Sequence, residues 1–204
     1  MSTTNLMNNC SIASSGNVIT ARARMSYPSL YKKSLPAGET DPEKARYKLS
    51  LVFPKEADLR VLAEAVEKCA VDRWGADYKS KYAKVKKPFL FVKDHPNMGF
   101  DPDEYEMFIR TSSDDRPNVI RADRTNVGED KEEEVYAGRW ARATIRPFAY
   151  DHKTGGKGIS LSLQNVQLLD HADPVGRVRA SAEDEFESVG GEAGKPASID
   201  DLYT

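Results

Sequence analysis

Between Trp140 and Tyr150 the sequence alternates two kinds of chemistry. Even positions hold Trp140, Arg142, Thr144, Arg146, Phe148 and Tyr150, and odd positions hold Ala141, Ala143, Ile145, Pro147 and Ala149. Side chains two apart on an extended strand share a face, so this spacing predicts one small apolar face and one that interleaves rings with guanidinium groups. Rings on such a face stack on bases at about 1–3 kcal/mol each, and arginines neutralise phosphates while releasing counterions. A single ring could equally serve a core, because aromatics dominate core burial. Two arginines between the rings are harder to place there, since burying them without partners is costly.

Other segments add to this basic, aromatic set. Arg22, Arg24 and Lys48 occupy the outward positions of two further alternating stretches, and Arg139 stands just before Trp140. Tyr31 and Lys32 fall in an expected loop. The run from Lys79 to Lys93 mixes six lysines with Tyr82, Phe89 and Phe91, and Phe108 and Arg110 share one side of a later alternating stretch. Most of those lysines read equally well as a solvated surface.

Enzymatic chemistry finds less support. Asp101, Asp103, Glu104 and Glu106 are dense enough to suggest a metal-dependent nuclease or recombination enzyme, the alternative reading. They lack the calcium-loop spacing with its central glycine, and a solvated acidic loop accounts for them. Gly155, Gly156 and Gly158 have no Lys-Ser/Thr ending and join two strand-like segments, which makes them a turn rather than a phosphate loop. His95, His152 and His171 are too scattered for a zinc site, and Cys10 and Cys69 read as free thiols. No metal and no cofactor is expected.

Charge divides the chain sharply. The 204 residues carry a net −2, but positions 181–204 hold seven acids against the single base Lys195, which is −6. The remaining 29 bases and 25 acids leave the body at +4. Within the acidic segment, Asp184, Glu185 and Phe186 at one end and Asp200, Asp201, Leu202 and Tyr203 at the other form two acidic-aromatic clusters separated by glycines. Such a segment reads as a disordered tail that engages partner proteins or keeps the protein soluble. No stretch approaches the roughly 20 apolar residues of a membrane helix, and the start has no signal-like pattern, so a cytoplasmic protein without a membrane partner is expected.

The elements that must position these residues are mostly strands. Residues 1–16 lack periodicity and read as a disordered leader. Val18 to Tyr27 alternates as a strand until Pro28, with a loop through Pro42, and Tyr47 to Phe53 alternates again. Lys55 to Trp74 changes to helical spacing, with Leu59, Leu62, Ala63, Val66, Cys69 and Ala70 on one stripe. Glu106–Ser112 is a strand with a short partner near 118–124, Glu129–Glu134 is a solvated loop, and 136–150 with 158–168 reads as a long hairpin. The fold class expected is mainly β: an OB-fold antiparallel barrel over 17–180, one inserted long helix, and a flexible acidic tail over 181–204.

Several stretches carry a family resemblance. They are VITARARMSY at 18–27, YKLSLVFPK at 47–55, YAGRWARA at 136–143, GISLSLQNVQ at 158–167 and AEDEF at 182–186. In this order they resemble the single-stranded DNA-binding proteins of tailed phages, an OB fold with an acidic C-terminal tail. The resemblance implies a protein that coats single strands in phage replication or recombination inside an infected bacterium, without catalysis. Its tail would recruit phage or host replication and recombination proteins, and a homo-oligomer is left open. It implies binding residues on a barrel groove, supported here at Arg22, Arg24, Lys48, Trp140, Arg142 and Phe148.

Overall fold

The computed structural model describes residues 7–82, 84–152 and 156–176. The acidic tail, with its two clusters at 184–186 and 200–203, lies outside them. Ten strands are present among the described residues: β1 (Ser11–Ile12), β2 (Val18–Ile19), β3 (Ala23–Ser34), β4 (Arg46–Pro54), β5 (Val85–Lys86), β6 (Phe89–Phe91), β7 (Tyr105–Ser113), β8 (Asn118–Ile120), β9 (Trp140–His152) and β10 (Gly156–Leu168). Two helices, α1 (Arg60–Trp74) and α2 (Tyr78–Lys81), sit between β4 and β5.

The pairings run round a closed circuit, β3 to β4 to β7 to β10 to β9 and back to β3. Four of its five seams are antiparallel. The fifth, β7 with β10, is parallel and rests on the single register pair Ser112 and Ser162. The expected all-antiparallel arrangement therefore fails at this seam, and β5 and β8 also run parallel to β10. The reason is topological: the chain leaves β7, traverses the molecule as β9 and returns as β10, and parallel neighbours need such a long connection. The expected pairing of 118–124 with β7 is likewise replaced by β8 against β10, with Val119 opposite Val166.

The interior of the circuit is filled from alternate positions. Met25 of β3, Leu49 and Leu51 of β4, Ile109 of β7, Ile145 of β9 and Leu161 and Leu163 of β10 are all essentially inaccessible. The helix closes one end: Leu62, Val66, Ala70 and Trp74, four residues apart, form its buried stripe, and Gly75 ends it at φ +86°. A second cluster of Val52, Val92, Met98, Phe100, Tyr105 and Phe108 lies on the other side of β4, with Leu90, Trp140 and Val175 packed against it. β4 is thus buried on both faces, which period-2 alternation cannot express.

Two expectations about local structure need correction. The strand does not stop at Pro28; β3 runs on to Ser34 through a register shift between Ser26 and Ser29, and Leu30 and Tyr31 point into the core. Residues 7–16 are part of the body. Asn9 bridges Asp58, β1 pairs with β2, and buried Cys10 accepts a hydrogen bond from the Ala21 amide at 3.2 Å. Strands of two residues leave no period to read, which is why this segment resembled a leader. Residues Glu129–Glu134 are solvent-facing as expected and wind into a 3₁₀ turn, with Glu134 held by Arg121 at 2.5 Å and Arg139 at 3.4 Å.

Candidate nucleic-acid interface

A single cross-strand row spans the outside of the circuit. Ser29 is opposite Lys48, Lys48 opposite Ser112, Ser112 opposite Ser162, and Ser162 opposite Arg146. Directly opposed residues share a face, so the row is a continuous strip of small hydroxyls with a cation on either side. In the neighbouring rows Ser50 pairs with Arg110 and Ser160 with Phe148. The floor is low because serines line it, and the walls are made by longer side chains. The result is a groove with a hollow of about 600 Å³ lined by Tyr27, Leu35, Pro36, Lys48, Arg110 and Ser160 among others. A second hollow of about 360 Å³ continues it past Arg46, Ser112, Arg146, Phe148 and Ser162.

The groove gathers, on adjoining strands, three cations without ion pairs among the described residues. Many cations elsewhere are matched: Glu67 takes Lys79 at 2.7 Å and Lys87 at 3.2 Å, Asp77 takes Lys81 at 2.9 Å, and Asp170 takes Arg22 at 3.4 Å. Among the described residues no ion pair involves Lys48, Arg110 or Arg146. Arg46, at the groove's end, is the exception, held by Asp114 at 2.8 Å. Burial also holds the Lys48 ammonium below the ordinary lysine pKa, a desolvation cost that an anion beside it would offset. A larger hollow, about 890 Å³ between α1 and β9, lacks this character. Its cations Lys68 and Arg73 are taken by Asp72 at 2.6 Å and Asp151 at 3.1 Å.

The predicted outer face of β9 points away from the barrel interior, but the strand's curl distributes it over four places. Arg146 and Phe148 reach the groove, with the Phe148 ring 43% exposed. Arg142 turns to a separate recess and donates to Gln167 Oε1 at 2.8 Å. Trp140 packs against the second cluster, and the Arg22 guanidinium lies 3.9 Å from its ring centroid. Tyr150 is half-buried and lies over Gly158, where its ring occupies the space a Cβ would need.

Other expected contacts fall away from the groove. Tyr31 is buried and its hydroxyl donates to the Val127 carbonyl at 2.9 Å. Phe108 is fully buried. Arg139 is 4% exposed and donates to the carbonyls of Glu134 and Leu169. None of these three offers a surface to a base or phosphate. Arg24 is committed to protein acceptors, donating to Gly138 O, to Tyr105 Oη at 3.2 Å and to Asp173 O at 2.8 Å. Lys32 is exposed, 4.0 Å from Glu132. Phe89 packs on the main core, while Phe91 is 43% exposed with Lys93 over its ring.

Groove residues that sequence reasoning missed are Tyr27, Leu35, Arg46, Ser112, Ser160 and Ser162. The serines were findable, since alternation in 158–167 places Ser160 and Ser162 opposite Ile159, Leu161 and Leu163. The acidic group at 101–106 stays on the surface; Asp101 accepts from the Asp103 amide at 2.8 Å. Among the described residues no three His, Cys, Asp or Glu side chains converge as metal ligands, and no helix is long and apolar enough to cross a membrane.

A circuit of strands with a basic groove on its outside points to the class of phage single-stranded DNA-binding proteins. The family model described as Enterobacter phage Enc34, ssDNA-binding protein, matches residues 16–196, and the chain belongs to that family. Its fold is similar to the single-stranded DNA-binding protein of bacteriophage Enc34 in complex with ssDNA: TM-score 0.65, 23% identity, 83% of this chain and 94% of that one. It is also similar to gp2.5, the single-stranded DNA-binding protein of bacteriophage T7, at TM-score 0.54 and 17% identity over 86% and 97% of the two chains. In sequence it resembles putative protein p50 of Acyrthosiphon pisum secondary endosymbiont phage 1, 22% identical over 81% of this chain and 90% of that protein.

Proposed function

We propose that this chain binds single-stranded DNA along the groove of β4, β7, β10 and β9, largely without regard to sequence. The observation that carries the reading is the set of cations without acids, Lys48, Arg110 and Arg146, along a serine-floored strip edged by exposed rings. Such a surface suits a flexible polyanion whose bases can stack, and it offers no pattern of donors and acceptors to read base edges. The strand circuit supports an OB barrel, in which the face of the second and third strands and the loop joining the first two bind oligonucleotides. Here those parts are β4, β7 and the 35–45 loop, and Leu35 and Pro36 of that loop line the groove.

On this reading the protein is not an enzyme. It coats and protects single strands in phage replication and recombination within the infected host's cytoplasm. The segment 181–204, at −6 against a body of +4, competes with DNA for the groove and recruits replication and recombination proteins. Mixing the protein with labelled single-stranded and duplex oligonucleotides, with and without magnesium, tests this. Retarded, intact single strands are expected. Shortened strands would indicate a nuclease, and no retardation at low salt would remove nucleic acid as the ligand.

A further inference from the structure

Tyr27 stands on the groove in a conformation that a tyrosine adopts only under constraint. Alternation from Ala23 and Met25, both fully buried, would send its side chain inward. Instead the backbone takes φ +47°, at the register shift that separates Ser26 from Ser29. Positive φ is rare outside glycine, asparagine and aspartate, and a bulky residue there is held at a cost in free energy. A bulge of this kind re-aims a side chain, and here the ring leaves the core and stands 63% exposed, the most exposed of the large hydrophobic side chains among the described residues. Its hydroxyl donates to the Asn97 carbonyl at 3.2 Å, which fixes the ring's tip without covering its faces.

The ring lines the same hollow as Lys48, Arg110 and Ser160. Phe148, a second exposed ring on the groove, is the register partner of Ser160 and stands in the adjoining hollow. Hydrophobic surface that a fold exposes at the expense of backbone strain needs a use, and between unpaired cations that use is a base.

We infer that Tyr27 is a base-stacking residue for single-stranded DNA, held out of the core by the β3 bulge, and that with Phe148 it makes a two-ring platform flanking the Lys48–Arg146 row. This inference rests on the proposed single-strand binding in the groove. The test uses the full chain, a fluorescein-labelled oligothymidylate of about 20 nucleotides, and two variants, Tyr27→Ala and Tyr27→Gly. Both are expected to bind about five- to a hundredfold more weakly, the range that loss of one stacked base produces. The slope of log K against log salt should be unchanged, because no charge is lost. Glycine relieves the positive φ, so Tyr27→Gly should melt at or above the temperature of the unaltered protein. Binding within twofold of the unaltered protein for both variants would overturn the inference, as would a large fall in melting temperature for Tyr27→Gly. Failure of the unaltered protein to bind the oligonucleotide would instead overturn the reading beneath it.

Discussion

The Arg22 guanidinium lies over the Trp140 ring, 3.9 Å from its centroid, and its buried Nε has no hydrogen-bond acceptor among the described residues. The indole is thereby a structural partner of the arginine and of the second cluster, while Phe148, eight residues along the same strand, stands 43% exposed in the groove. Trp140→Ala is therefore expected to lose about 3 kcal/mol or more of stability in urea unfolding, in the range of large-to-small substitutions at packed aromatics. Phe148→Ala should change stability by no more than about 0.5 kcal/mol and weaken oligonucleotide binding by about 1–3 kcal/mol. Equal stability losses in the two variants would show that both rings are packing residues.

Groove cations and structural cations should separate in their salt dependence. Neutralising Lys48, Arg110 or Arg146 to glutamine should each reduce the slope of log K against log salt by about 0.7 with little loss of stability. Arg24→Gln removes donors to Gly138, Tyr105 and Asp173 and should lower the melting temperature while leaving the slope intact. A slope that responds to Arg24 and not to the other three would move the DNA path to the far side of β3.

Acid stability should report on Glu67. Lys79 above all, with Tyr78 and Lys87, draws its carboxyl from 4.5 down to about 2. A depressed carboxyl contributes stability above its unfolded value that disappears as pH falls through the folded one. The contribution is thus complete above about pH 4.5 and gone below about pH 2. The three contacts tie α1 to α2 and to Lys87 just after β5. Glu67→Gln should flatten the fall of stability across that window, and chemical unfolding at several pH values checks it. An unchanged profile would mean that solvent screens the cluster.

Deleting residues 181–204 removes −6 and should strengthen oligonucleotide binding most at low salt. The gain should shrink near physiological ionic strength, where charges are screened beyond about 8 Å. Titrations of both forms at two salt concentrations measure it. A truncated protein that binds no better at low salt would leave the tail with solubility or partner binding alone.

How much of this was legible in the sequence depends on the element. Strand alternation placed Leu49, Leu51 and Ile145 in the core and Lys48, Arg146 and Phe148 outside it, because period 2 is a local property of extended backbone. Helical spacing found Leu62, Val66 and Ala70 in the same way. What alternation could not show was the second cluster: Phe108 and Val52 are outward by period and buried by the 92–105 segment folding over them. It could not show curl either, so Trp140, Arg142 and Arg146 looked like one surface and occupy three. Tyr27 was hidden for a further reason. The bulge that turns it outward is a pairing irregularity, and Pro28 beside it reads equally as the end of a strand.

The central claim is that DNA lies across β4, β7, β10 and β9, and hydrogen–deuterium exchange with and without a saturating oligothymidylate tests it most directly. Protection is expected in peptides from 35–50, 108–114, 144–149 and 159–163, which carry Leu35, Lys48, Arg110, Ser112, Arg146, Phe148 and Ser162. Peptides from α1 and from the recess of Arg142 and Gln167 should be unaffected. Protection confined to α1, or to the Arg142 recess, with exchange across β4 and β7 unchanged, would contradict the account.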